Sequence, residues 1–508
     1  MKQFKKLFAI VLALVLSLSL VACTPTGPQG GGEGAWEWET EAEVLAGVTE
    51  DTIWVGNTAG TTGALSAIGG PFNYGIQAAF HAYNLKGGFN GKKVALKHYD
   101  DGGNPADSAT LTGKLIHEDE VFAIVGNFAA ACVAANLDVI KEAEVPMVYA
   151  AAGNDILQND KAVTLADKGV FPVQPLNKTE GRMLLARAFA PTADAEGNPL
   201  GGLGAKKVGV IYNSDEASKT LYAGIQAEMT NLTATQTANV FPQEVSGSDY
   251  SAAVAALKAK GCDVVIVAVI GAPYFSALKA IASAQYKVAV LTSYNNAAVT
   301  TFNDATTGLL LDEYKEVFNY VTLYSQAWLD ISSTTELYNP ENKAAGSLYS
   351  WYQALYTIDG VNYLDYYGGV PNFKNSYWTV AENLYNYGLT LVNYAGGADA
   401  ITAGMTYAFA MSYDAYALAG YIAGDLFCQG LAALQEAGHA LTRGNYIHIM
   451  ETKAFQVAMA NPISFADGAR NGVDAFALTS IAVDAQGKVV ASTIHGLTSL
   501  EEYRALIK

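Results

Sequence analysis

Charge is scarce in this chain. Only 15% of its 508 residues are charged, and 30 Lys and Arg face 48 Asp and Glu. The net charge of −18 leaves no basic face, which argues against nucleic acid as a partner. Cysteine and histidine are rarer still, at 4 and 6. No C-x-x-C occurs, and the three cysteines beyond Cys23 (Cys132, Cys262 and Cys428) cannot all pair with one another. Cys262 precedes the apolar run 264–270 and reads as a buried core thiol. The catalytic signatures are missing too. There is no G-x-S-x-G, no H-E-x-x-H and no G-x-x-x-x-G-K-[ST], and residues 56–70 do not fit G-x-G-x-x-G. His117-Glu118-Asp119-Glu120 reads as a solvated helix end, and Asp100-Asp101 has no spacing that singles out an acid and a base. The expectation is a protein with no cofactor, no metal and no catalytic residue. After the first 22 residues no stretch reads as apolar enough to span a bilayer.

What is present starts with the N-terminus. Met1-Lys2-Gln3-Phe4-Lys5-Lys6 is basic, residues 7–20 are apolar, and Leu20-Val21-Ala22-Cys23 follows. That is the layout of a secretory signal. Its end resembles a lipobox, in which Cys23 becomes the lipidated N-terminus; the alternatives are a plain signal peptide or an uncleaved anchor. Cleavage there removes three lysines, taking the net charge from −18 to −21. Residues 24–47, with Pro25, Pro28, Gly30-Gly31-Gly32 and four spaced glutamates, read as a tether. As a coil it would reach ~25–30 Å.

The folded part is organised around residues 53–105. Ile53-Trp54-Val55-Gly56 reads as a buried strand, and residues 57–70 as a long loop rich in glycine and hydroxyls. Pro71 suits a first helical position. Phe72, Ile76, Ala79, Phe80 and Tyr83 then mark one helix face, which stops at Lys86-Gly87-Gly88. A second strand runs over 94–99. This is a βαβ unit, whose first loop lies where open α/β sheets bind ligands. Strand and helix go on alternating to about residue 291, with a restart at Lys207, so two α/β lobes are expected. Residues 300–425 are different: they hold 18 of the 30 tyrosines. Residues 335–400 read as a Tyr-rich insertion. Asn471-Gly472 reads as a hairpin turn.

The Thr/Gly loop, "AFHAYNLKGGFNGKKVALKHYDD" and "GGNPADSAT" together resemble the amino-acid-binding, leucine/branched-chain group of periplasmic binding proteins of type I. The likeness runs from about residue 51 to 285 and resumes over the last hundred residues. It implies two doubly wound α/β/α lobes joined by a hinge. The chain then divides into a signal (1–22), a lipidated tether (23–47), a first lobe (48–168), a second lobe (169–292), a return to the first lobe (293–450) and a closing part of the second (451–508). Crossings between lobes are expected near 165–178, 290–300 and 445–460. The function implied is that of an ABC importer's solute receptor, not an enzyme. It would be held by its lipid on the extracytoplasmic face of the cell membrane, closing on a small organic solute and docking on the permease. A ligand sensor or surface adhesin on the same scaffold is the alternative.

Carried over by position, the resemblance places the ligand among loops at strand ends. In the first lobe these supply Thr58, Thr61, Thr62, Asn127, Phe128, Ala129, Ala151, Ala152 and Asn154. The second lobe supplies Ser214, Asp215, Tyr274, Tyr294 and Asn295, with Asn296 beside them. The family usually offers adjacent serines where this chain has Ala129-Ala130-Ala131, and alanine, any residue, threonine where it has Ala151-Ala152-Gly153. The hydroxyls that grip an amino acid's carboxylate are thus missing, which implies a ligand with more apolar or aromatic surface than leucine.

Overall fold

The computed structural model describes residues 36–40, 45–304, 307–329, 373–412 and 414–507. Cys23, most of the tether and residues 335–372 of the expected insertion lie outside the described residues. The chain divides into a unit ending at Trp38, where residues 36–38 carry no regular structure, and a body from Glu39 onward.

The body opens with β1 (Thr52–Ala59), buried at nearly every position as a strand covered on both faces must be. Helix α1 (Ser66–Leu85) begins five residues before Pro71, because a 3-10 turn at Gly63–Leu65 already feeds it. Pro71 therefore sits in the second turn and not at the first helical position. The helix stops where expected: Gly87 and Gly88 adopt φ of +103° and +59°. After β2 (Lys93–Asp100), Asn104 caps α2 (Pro105–His117) by accepting from Ala106 N at 2.9 Å and Asp107 N at 3.3 Å. β3 (Ala123–Val125), α3 (Ala130–Glu142), β4 (Met147–Val148) and β5 (Val170–Phe171) complete a five-stranded parallel sheet in the order β2-β1-β3-β4-β5.

The pattern restarts with α4 (Asn177–Phe189), β6 (Val208–Asn213), α5 (Glu216–Met229), β7 (Val240–Val245), α6 (Ser251–Lys260), β8 (Val264–Val267), α7 (Ala272–Ser283), β9 (Val288–Thr292) and β10 (Val321–Ala327). Five of these strands run β7-β6-β8-β9-β10, the winding order of the first lobe repeated. On β8, Val265 and Val267 pack into one apolar cluster while Val264 and Ile266 pack into another, so helices cover both faces. The chain then gives α8 (Phe373–Thr390), α9 (Ala398–Met411), α10 (Ala415–Glu436) and α11 (Arg443–Met450), followed by the small hairpin of β11 (Ala454–Phe455) and β12 (Ile463–Ser464). Last come β13 (Ala475–Val483) and β14 (Val489–Ser499), which extend the second sheet as antiparallel strands beside β10.

Several expectations need correction. Residues 293–327 do not return to the first lobe, since β10 pairs with β9 in the second sheet. Its sequence alternates polar and apolar residues within a Tyr-rich stretch, so it carries no apolar run. Residues 451–470 also stay with the first lobe. There Arg470, 1% exposed, donates to Lys168 O and Glu451 and lies over the Phe171 ring. Asn471-Gly472 is no hairpin turn: Val473 N donates to Val173 O at 2.8 Å, so this segment runs beside the first lobe-to-lobe connection. The hairpin turn lies at 484–488 instead, where Gly487 N donates to Asp484 O. Finally, α10 is long and apolar enough to cross a membrane by length and composition, contrary to expectation. It is a core helix, with 78% of its apolar window buried, much of it against α1.

Candidate functional site

Two sheets wound in the order 2-1-3-4-5 each have a switch point, between β1 and β3 and between β6 and β8. Ligands of open α/β sheets bind outside strand C-termini at such points. The loops after β1, β3 and β4 in one lobe, and after β6, β8 and β9 in the other, are therefore the candidate site.

The first-lobe loop is held by its own side chains. Thr58, wholly buried, shares a hydrogen bond with Ser108 at 2.9 Å and donates its backbone N–H to Asn127 Oδ1 at 3.1 Å. Asn136 closes this network on Ser108 at 3.0 Å. Thr61 reaches His98 Nε2 at 3.0 Å, and Thr62 donates to Asp100 at 2.5 Å. The Thr62 hydroxyl, with the backbone N–H groups of Gly102, Thr61 and Thr62, holds the Asp100 carboxyl down to about 2. Thr58 and Asn127 thus offer no surface to a solute, whereas Thr61 and Thr62 shape the loop from its exposed side.

The second and third loops are bound to each other. Phe128 bridges to Ala151, Ala151 N donates to Asn127 O at 2.8 Å, and Asn154 Nδ2 donates to Ala130 O at 2.8 Å. Ala129 and Tyr149 take φ of +70° and +56°, in a region that L side chains avoid. Such strain, about 1 kcal/mol or more per residue, gathers at ligand sites. The Phe72 ring stands 5.7 Å from Phe128 and 5.8 Å from Tyr149, with Trp328 beyond Tyr149 at 6.4 Å, an aromatic cluster in which Phe128 is half-buried and Phe72 and Tyr149 are buried.

In the second lobe the expected residues have separate fates. Ser214 and Asp215 are exposed, and Asp215 caps α5 through Ser218 N at 2.8 Å. Tyr274 carries no exposed surface and packs within the apolar core of its own lobe, so it does not reach the cleft. Asn295 is exposed, while Asn296 is buried and donates to Val269 O at 2.8 Å. Tyr294 turns back toward the lobe connection, donating its hydroxyl to Pro175 O at 2.9 Å. Its backbone N–H donates to the fully buried Glu180 at 2.7 Å, and Ser293 Oγ does the same. Burial pushes the Glu180 carboxyl up to about 8, against the pull of those two donors.

Sequence reasoning missed eight residues that the structure brings to this place. Asp155, Gln158, Asn159, Asp160 and Lys161 from the first lobe, with Lys178 of α4, line a cavity of about 510 Å³. Lys178, at the start of α4, brings the second lobe to this cavity. The half-buried carboxyl of Asp155 is raised by desolvation, and Oδ1 has no hydrogen-bond partner. The other two are Glu180 and Gln174. Gln174 lies on the connection, and the N–H groups of Ala152 and Gly153 converge on its side-chain amide at 3.2 and 3.1 Å. Two donors aimed at one atom require that atom to be oxygen, so Oε1 faces them. Only the Gln-Pro pair before a helix hinted at a constrained segment here. Among the described residues no group of three or more His, Cys, Asp or Glu could hold a metal ion.

Two α/β lobes with matched winding, facing switch points and adjacent connecting segments define a two-lobed binding protein. The family model described as periplasmic binding protein matches residues 52–345, and the chain belongs to that family, with the type I fold. A Leu/Ile/Val-binding protein homolog 2 of Brucella abortus is 25% identical over 234 residues. That stretch is 44% of this chain and 55% of the relative, so the chain spans about half the length of the curated relatives it matches. An R. palustris solute-binding protein crystallised with 4-hydroxybenzoate has a TM-score of 0.57 at 15% identity, covering 88% of this chain and 98% of that one. A leucine-binding protein from Thermotoga maritima has a TM-score of 0.52 at 18% identity, covering 88% and 99%. At these identities the structural likeness is one of fold.

Proposed function

We propose that this protein is the extracytoplasmic, lipid-anchored receptor of an ABC importer, capturing a small organic solute between its lobes and catalysing no reaction. The observation that carries the reading is the pair of identically wound sheets, each with a switch point, beside a polar cavity lined by the loop after β4 and by Lys178 at the start of α4. The hinge consists of the connections at 172–176 and 471–474 together with the chain that leaves β10 after Ala327. Solute held by one lobe adds contacts that favour the closed arrangement. Cys23 is the lipid attachment point, and a membrane permease receives the closed body. The ligands named for relatives and neighbours, among them Leu/Ile/Val, 4-hydroxybenzoate and fatty acid, support a small organic solute without choosing one.

A thermal-shift screen over amino acids, amides, short peptides and aromatic acids tests the reading. A solute at 100 times its Kd should add ~2.7 kcal/mol of stability. No stabilisation by any of these classes, or turnover of one of them, would remove the receptor reading. Cys23→Ser should move the protein from the membrane to the soluble fraction; an equally membrane-bound variant would remove the lipid anchor.

A further inference from the structure

The third loop lacks the hydroxyl that the family resemblance expects there, so its backbone N–H groups are what it could offer a carboxylate. Here those groups already have acceptors. Ala152 N donates to Ala150 O at 2.8 Å, and Oε1 of Gln174 stands 3.1 Å from Gly153 N and 3.2 Å from Ala152 N. Gln174 is itself held on both sides. Its predecessor Val173 accepts from Val473 N at 2.8 Å, and its successor Pro175 accepts from the Tyr294 hydroxyl at 2.9 Å. The parallel connection presses close as well, since a Cβ on Gly472 would lie 2.5 Å from Gln174 O. The side chain thus projects from a clamped backbone, unlike a residue on a free loop.

Two further observations point the same way. The second loop opposes with Ala129-Ala130-Ala131 and provides no hydroxyl for a carboxylate. Two residues beyond Gly153, Asp155 keeps a buried Oδ1 without a side-chain hydrogen-bond partner, although Lys178 stands beside its carboxyl. A carboxylate placed on the third loop would find the Gly153 N–H taken by Gln174 and would have this carboxyl as a neighbour.

We propose that Gln174 is a specificity-determining residue of the cleft. Its side-chain carbonyl occupies the N–H of Gly153, beside an Ala152 N–H already taken by Ala150 O, so the solute is neutral or cationic at that end and not a carboxylate. This deepens the receptor reading and rests on the cleft being the solute site. Phe128, half-buried and backed by the buried Phe72 ring at 5.7 Å, supplies apolar surface along which the rest of such a solute would lie.

Calorimetry on the full chain with two matched pairs, leucine against leucinamide and 4-hydroxybenzoate against 4-hydroxybenzamide, tests this. The unaltered protein should bind the amide of a pair at least tenfold more tightly than the acid. Gln174→Ala, which uncovers the Gly153 N–H, should shift that preference toward the acid at least tenfold. Gln174→Glu keeps an oxygen on that N–H and should reject the acids as the parent does; thermal melts establish that both variants fold. Equal acid binding by parent and Gln174→Ala overturns the proposal, as does Gln174→Ala failing to gain acid binding. Binding with an unchanged preference would leave the receptor reading standing without Gln174. Failure of all four compounds on all three proteins counts against Gln174 alone, because the broader screen decides the cleft.

Discussion

In each lobe, the helix after the opening strand lies so close to a second helix that backbone meets backbone. In the first lobe this is α1 against α10, where a Cβ on Gly75 would stand 2.0 Å from Ala417 O and one on Gly420 1.9 Å from Phe72 O. In the second it is α4 against α5, where a Cβ on Gly181 would stand 2.0 Å from Leu221 O and one on Gly224 2.1 Å from Lys178 O. The device is the same and the wiring differs. Residues 181 and 224 are near neighbours in the chain, whereas 75 and 420 are separated by α4 to β10 of the second lobe. The first lobe is therefore complete only when the chain has returned, and its closure carries the larger loop entropy. The lobes also treat polar groups differently. The first satisfies its buried hydroxyls among themselves, around Thr58 and Ser108. Among the described residues the second has no such network around its opening strand; it buries Glu180 at the hinge and Arg187, which donates to Gly201 O and Phe476 O. Arg470, a charge that the first lobe buries, is paired with Glu451 away from that network.

The largest test of this comparison is steric. Gly420→Val and Gly181→Val each force a side chain into a carbonyl oxygen, and each should destabilise its lobe by about 4 kcal/mol or more. Denaturant titration read by probes in each lobe should show Gly420→Val weakening the first lobe and Gly181→Val the second. Tolerance of either substitution would mean that the helices can slide apart there, and the equivalence of the two contacts would be lost.

A middle-sized effect follows from Glu180. Its folded-state value of about 8 lies above the ordinary 4.5, so the folded protein holds this proton more tightly than the unfolded chain does. The stabilisation is full below about pH 4.5 and is lost as pH rises through about 8. Between these limits the parent should lose up to a few kcal/mol that Glu180→Gln does not lose. Parallel slopes for the two proteins would show that Glu180 is ionised in the fold, and the contrast with the neutral network of the first lobe would blur.

The smallest effect separates structure from site. Thr58→Val leaves Ser108 and Asn127 in place but removes the hydroxyl they surround, and should cost about 2 kcal/mol. Solute affinity measured by calorimetry should stay within twofold, because Thr58 has no exposed surface. A tenfold loss of affinity would put Thr58 back in the site.

Local chemistry was readable from the sequence by itself. The alternation of apolar runs and amphipathic helices announced two α/β lobes, Asn104 its helix cap, Lys86-Gly87-Gly88 a helix end and Cys262 a buried thiol, now 3% exposed. These depend on neighbours within a few residues, where side-chain period and backbone freedom act directly. β7 was missed because an edge strand with Pro242 and exposed charge shows no apolar run. β10 was missed because its partners, β9 and β13, are distant segments that alone bury it. Tertiary structure also decided which polar residue does what. Tyr274 and Thr58 have the composition of cleft residues, yet packing buried one in the core and hydrogen-bonded the other to Ser108. Gln174 had no motif, and it reached the third loop only because the lobe connection folds back against it. A hydrogen bond is satisfied by whatever acceptor folding brings near, and nothing local to residue 174 names Ala152 or Gly153.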